Sequence, residues 1–152
     1  MAGWTNRGKY NSLAEKFRAA TAPTNYYMAL WTSAAAPTAD TNLMSDGTQI
    51  ATGNGYADGG YQLARNATDF DVLTEDDAND RALIQLKDIV WTAAGGPIPS
   101  AGSGARYAVL TDDEGVVANR EIENYFDLVS DRTVSDTQTL TLQNCEIRIN
   151  ES

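Results

Sequence analysis

The sequence predicts a mainly β chain: an antiparallel β-sandwich of six to eight strands, with a short N-terminal helix or arm. Three observations lead there. Short apolar segments with period-two alternation recur along the chain, clusters of Gly, Asn and Asp separate them, and no strand–helix–strand rhythm of a parallel sheet is present. At 152 residues the chain is one domain's worth, long enough to bury roughly two-thirds of its unfolded surface without a metal or a disulfide.

The elements follow in order. Leu13, Phe17 and Ala20 are spaced i, i+4, i+7 behind Asn11 or Ser12 as possible caps, which predicts a short amphipathic helix ending before Pro23. Tyr26 to Trp31 is an unbroken aromatic and apolar run, a strand with both faces at least partly covered. Residues 33 to 60 hold Asp46-Gly47, Gly53-Asn54-Gly55 and Gly59-Gly60 and read as loop. Tyr61 to Val72 reads as extended. Leu83 to Trp91 is the strongest strand, but Ile84 and Leu86 share one parity while Ile89 and Trp91 share the other, so it carries a bulge near Lys87-Asp88 or is buried on both faces. Ala93 to Gly104 reads as an irregular surface loop. Arg106 to Thr111 is then a strand, with Asp112-Asp113-Glu114-Gly115 closing a hairpin onto Val116-Val117. Ile122, Phe126 and Leu128 fall on one parity of the next strand. Leu140 and Leu142 change parity to Cys145, Ile147 and Ile149, which calls for a second bulge near Gln143-Asn144.

Composition narrows function. The net charge is −10, there is no histidine and only one cysteine. An acidic chain repels phosphate backbones, so nucleic acid is not an expected partner. Without histidine, Ser-His-Asp, Cys-His and zinc-water chemistries lose their usual base or ligand. Cys145 cannot form an intramolecular disulfide and reads as a small core hydrophobe. No apolar run resembles a signal peptide or a membrane span, so neither export nor a membrane partner is expected. The charge is also unevenly placed. Residues 1 to 20 hold Arg7, Lys9, Lys16 and Arg18 against Glu15, a net of +3, whereas the remaining 7 basic and 20 acidic groups leave −13 for the rest. Two regions are therefore expected: a basic arm over 1–22 and a β-sandwich domain over 23–152.

Candidate sites are few. The basic arm can lie across an acidic surface, with Arg7 and Arg18 making charge-assisted pairs and Trp4, Lys9, Tyr10 and Phe17 completing a clamp. Tyr56 and Tyr61, in a glycine-rich loop, are candidate interface anchors. Six carboxylates lie from Asp69 to Asp80; Asp69, Asp71, Asp76 and Asp77 are the candidate ligands for a cation such as Ca²⁺. A solvated acidic loop is the simpler reading, because the EF-hand pattern is not met. No phosphate-binding glycine motif occurs, and no cofactor is expected.

Several stretches carry a resemblance: GKYNSLAEKF, PTNYYMALWTSAAAPTADTN, GNGYADGGY, TDFDVLTEDDANDRALIQLKDIVWTAAGGPIP, GARYAVLTDD and SDRTVSDTQTLTLQNCEIRI. The chain resembles small β-sandwich structural proteins of tailed bacteriophages, in the head-decoration or tail-associated group. The resemblance implies a virion protein assembled in the host cytoplasm, without enzymatic activity. The resemblance does not fix the place on the particle; the role expected first is a capsid cement or decoration protein bridging subunits of the major capsid protein as a homo-oligomer, a trimer favoured. A tail, neck or fibre adaptor, and a carbohydrate- or calcium-binding module, are the alternatives.

Overall fold

A computed structural model describes residues 2–150; Met1, Glu151 and Ser152, at the ends of the two expected regions, lie outside the described residues. The chain folds as a mainly β, antiparallel sandwich with one α-helix. Among the described residues there are ten strands, more than the six to eight expected, because two long segments are each divided and Ala2–Trp4 adds an unexpected edge strand: β1 (Ala2–Trp4), β2 (Asn25–Trp31), β3 (Tyr61–Ala64), β4 (Val72–Asp76), β5 (Arg81–Gln85), β6 (Ile89–Thr92), β7 (Ala105–Thr111), β8 (Ile122–Arg132), β9 (Thr139–Leu142) and β10 (Glu146–Asn150). One layer is a five-stranded sheet in the order β1-β8-β7-β2-β3. The second layer is built from β10-β5-β4 and the pair β6-β9.

The second layer explains both parity changes. Strands β5 and β6 run antiparallel to β10 and β9 as one ribbon, Gln85 opposite Glu146 and Ile89 opposite Leu142. The ladder is interrupted between them on both sides at once: Leu86 N–H still donates to the Cys145 carbonyl at 2.9 Å, and Gln143 donates to the Asp88 carboxylate at 3.0 Å across the gap. The segments expected to bulge, Lys87-Asp88 and Gln143-Asn144, face each other across this gap, but neither strand gains a residue on the other: the register is the same on both sides, so the ladder breaks symmetrically without a bulge. Shifting both strands together turns Leu86, Ile89, Trp91, Leu140, Leu142, Cys145 and Ile147 into the same core despite their opposite parities.

In the five-stranded sheet, β2 is covered on both faces, as its composition predicts. Met28 and Leu30 point into the inter-layer core with Leu63, Leu110 and Phe126, while Ala29 and Trp31 join Met44, Val109 and Ile122 under the 33–50 segment. Ile122 and Phe126, expected on one face of β8, lie on opposite faces. Leu110 pairs with Asn124 and Thr111 with Ile122, so Glu123 is an extra residue that flips the alternation.

Four further expectations change. The helix α1 (Asn6–Arg18) begins earlier than Asn11 or Ser12, because the Thr5 side chain already accepts from Gly8 N–H and caps it. The extended reading of 61–72 fails at Ala64, where Asp69 and Asn66 capture backbone N–H groups and bend the chain. Val116-Val117 is not a strand; residues 117–119 form a short 3-10 turn and β7 pairs instead with β8. The 93–104 loop is anchored inward by Ile98, fully buried and bridged to Val134.

Candidate functional site

The N-terminal segment is built into the sandwich edge. Ala2 to Trp4 pair with Asn124 to Phe126 of β8, and the Trp4 indole N–H donates to the Arg148 carbonyl at 2.8 Å, tying β10 to the five-stranded sheet. Thr5 is fully buried; its N–H donates to the Glu123 carbonyl at 3.1 Å and its hydroxyl donates to the Ile122 carbonyl. Trp4 is therefore a structural tie, and residues 2–5 are edge strand and cap instead of a free arm.

Beyond Thr5 the helix packs inside out. The residues nearest the sheet are Gly8, Asn11, Ser12 and Glu15, spaced i, i+3, i+4, i+7, and all but Gly8 are polar. Only glycine fits the first of these positions: a Cβ there would lie 2.2 Å from the Glu123 carbonyl oxygen. Asn11 then reaches both acidic side chains beneath it, donating to Glu121 at 2.8 Å and to Glu123 at 2.9 Å. The inner face is held by hydrogen bonds and close backbone approach.

Its apolar stripe points out. Tyr10, Leu13 and Phe17 are 63%, 59% and 71% exposed, so the residues expected to bury the helix are those it leaves uncovered. Basic groups frame them. Arg7 stacks over Tyr10 and reaches Glu121 at 3.6 Å, and Lys16 sits over the Phe17 ring. Among the described residues, Lys9, Lys16 and Arg18 belong to none of the ion pairs. Arg7, Lys9, Tyr10, Phe17 and Arg18 of the expected clamp thus share one helix, joined by Leu13.

The tyrosine anchors fare differently. Tyr56 is not an interface residue: it is 2% exposed, packs on Trp91, and its hydroxyl accepts from Leu30 N–H at 2.8 Å and contacts Gln49 at 3.1 Å. Burial pushes its phenol well above the ordinary tyrosine range. Tyr61 is half-buried, edge-on to Trp91 and beneath the Lys87 ammonium. A glycine-rich sequence looks exposed, but here it wraps over the core and carries its tyrosines inward.

The acidic span is divided by the β4–β5 hairpin. Asp69 is buried and pairs with Lys87 at 2.6 Å, a contact that holds its carboxyl below the usual range. Asp76 accepts from Asn79 and Arg81, and these bonds lower its carboxyl also. Asp71 and Asp77 remain solvent-facing. Among the described residues no three carboxylate or thiol groups converge on a common point where a metal could sit.

Beside α1 lies a groove of about 500 Å³ between the layers. The inner row of β4-β5-β10, Leu73, Ile84 and Ile147 in register, forms one wall with Ile149, and Phe70 and Trp4 close the ends. At its floor Glu123 is 6% exposed, and burial together with Glu15, Asp112 and Glu121 pushes its carboxyl up to about 7 against the pull of Asn11. The outer rim is uncovered, with Leu73 77% and Ile149 64% exposed.

Compared with protein-family models, curated proteins and solved structures, the chain gives no match. No helix among the described residues is long and apolar enough to cross a membrane. Sequence reasoning missed the groove and Arg120, a buried guanidinium lying 3.7 Å from the Tyr27 ring centroid and donating to the Glu114 carbonyl at 3.0 Å. Arg120 holds the β7–β8 loop against β2, and a single loop arginine gives no sequence signal of burial.

Proposed function

We propose that the chain is a non-enzymatic structural protein of a bacteriophage virion, most concretely a cement protein that bridges capsid subunits as a homo-oligomer. The virion assignment rests on the family resemblance of the sequence. The attachment role rests on one observation: the outward face of α1 presents Tyr10, Leu13 and Phe17 to solvent beside Lys9, Lys16 and Arg18, which make no ion pair among the described residues. Exposed aromatic side chains with arginine beside them are the usual makings of a contact residue set. In this reading α1 is the surface that engages a neighbouring subunit in the shell, and repetition around a symmetry axis raises the effective concentration of each contact.

The test counts copies. Quantitative mass spectrometry of virions from the phage encoding the chain is expected to find hundreds of copies per particle. A few copies would move the protein to the tail, neck or a fibre, and none would remove it from the virion. The double substitution Leu13→Ser/Phe17→Ser, which leaves the buried face of α1 intact, is expected to abolish co-sedimentation with capsids.

A further inference from the structure

We infer that the partner of the α1 face is a second copy of this chain, whose groove beneath β4-β5-β10 receives it head to tail. This deepens the attachment reading and rests on it for the role of α1. Four features of the molecule carry it.

The first is that two apolar surfaces are left open on one chain. Tyr10, Leu13 and Phe17 on the helix, and Leu73 and Ile149 on the groove rim, are each more than half exposed. They do not cover one another within the chain, so any mutual burial occurs between copies.

The second is charge. The helix face carries Lys9, Lys16 and Arg18, while exposed Asp71, Glu75, Asp77 and Asp80 lie on or beside the β4–β5 hairpin. None of these seven groups takes part in an ion pair among the described residues. By contrast, Asp76 and Glu146 in the same sheet are already matched by Arg81 and Arg148. Arg65, which also lines the groove, is an exposed cation bonded only to the Pro23 carbonyl, so the groove side carries four unmatched acids against one base while the outward helix face carries three bases, a balance that favours this pairing over helix against helix or groove against groove.

Third, the dimensions agree. From Tyr10 to Phe17 the helix advances about 10 Å, and a five-residue strand such as β4 spans about 17 Å. The outward stripe therefore fits along the hairpin without overrunning it.

Symmetry supplies the last feature. Helix and groove are different patches, so the contact is heterologous: each copy uses its helix on one neighbour and its groove on another. Repetition closes a ring or extends a chain, and a three-membered ring would be the trimer favoured under the cement reading.

Analytical ultracentrifugation of the full chain over a concentration series tests this. Wild type is expected to associate, and association is expected to weaken at least tenfold between 50 mM and 500 mM NaCl, since screening acts on the exposed charges. Two exposed-site variants separate the surfaces: Leu13→Ser/Phe17→Ser disables the helix, and Leu73→Ser/Ile149→Ser disables the groove. Each alone is expected to be monomeric with an unchanged circular dichroism spectrum. Mixed, they are expected to form a complex that stops at 1:1, because one intact helix meets one intact groove. A wild-type chain that stays monomeric, association that survives either variant, or a mixture that does not pair overturns the inference. If wild type is monomeric but Leu13→Ser/Phe17→Ser still detaches from capsids, the second-copy partner falls and the attachment reading stands.

Discussion

Strand β2 and helix α1 use apolar residues in opposite ways. In β2, Met28, Ala29, Leu30 and Trp31 alternate between two cores and all four are fully buried. In α1 the apolar residues face solvent, and a glycine, an asparagine and a serine face the sheet. Apolar burial on both faces makes β2 the centre of the fold. The helix is instead seated by steric fit and by hydrogen bonds to Glu121 and Glu123, which leaves its apolar face for something outside the chain. Amphipathic pattern alone therefore identifies a face that will be covered, and not which molecule covers it.

The sharpest way to break this contrast is at Gly8. In an exposed helix Gly→Ala gains about 1 kcal/mol, but here the added methyl meets the Glu123 backbone. Gly8→Ala is expected to destabilise by about 3 kcal/mol through overpacking, measured by urea unfolding; a neutral or stabilising result would mean that α1 is not seated as described.

Glu123 probes the same seat through pH. Its carboxyl stands near 7, above the ordinary 4.5, so between those values the folded chain holds a proton that the unfolded chain has released. Stability from this group is greatest below about pH 4.5 and falls as pH rises through 7. Glu123→Gln keeps an acceptor for Asn11 and removes the charge. It is expected to stabilise the protein by about 2 kcal/mol at pH 8 and by little at pH 4.5, read as melting temperature at the two pH values. An equal shift at both would exclude a buried carboxylate as the cause.

On the β2 side, Tyr56→Phe removes the acceptor of Leu30 N–H and leaves that donor buried. A loss of about 1–2 kcal/mol is expected, with hydrogen exchange at Leu30 accelerated; unchanged exchange would show that the hydroxyl does not guard that amide. The smallest effect belongs to the helix surface. Leu13→Ser/Phe17→Ser is expected to change stability by less than about 0.5 kcal/mol while abolishing attachment, and a large stability loss would place those side chains in the core.

Much of the fold was legible in the sequence. β2 announced itself by four successive apolar residues, and the parity changes at Lys87-Asp88 and Gln143-Asn144 located both irregularities of the second layer. That these two face each other was not legible, because register between Asp88 and Gln143, 55 positions apart, is a tertiary fact. The basic, aromatic character of 7–18 was also readable. Its orientation was not: the stripe Leu13, Phe17 has the same spacing whether it faces a core or water, and Gly8 gave the only clue to close backbone approach. Tyr56 misled because glycine-rich loops usually expose their side chains. Trp4 misled because a terminal tryptophan gives no sign of the distant carbonyl of Arg148.

By itself, the sequence determined the mainly β class, the position of the helix near the N-terminus and the separation of a +3 segment from a −13 remainder. These are properties of local pattern and charge count, and both survive any arrangement in space. The tertiary structure decided which side of α1 is inside, that the acidic hairpin overhangs an open groove, and that Tyr56 is core. Each depends on what lies opposite a residue. That is set by packing two layers so that Thr5, Trp31 and Ile98 are all buried at once, a condition that no single segment of chain contains.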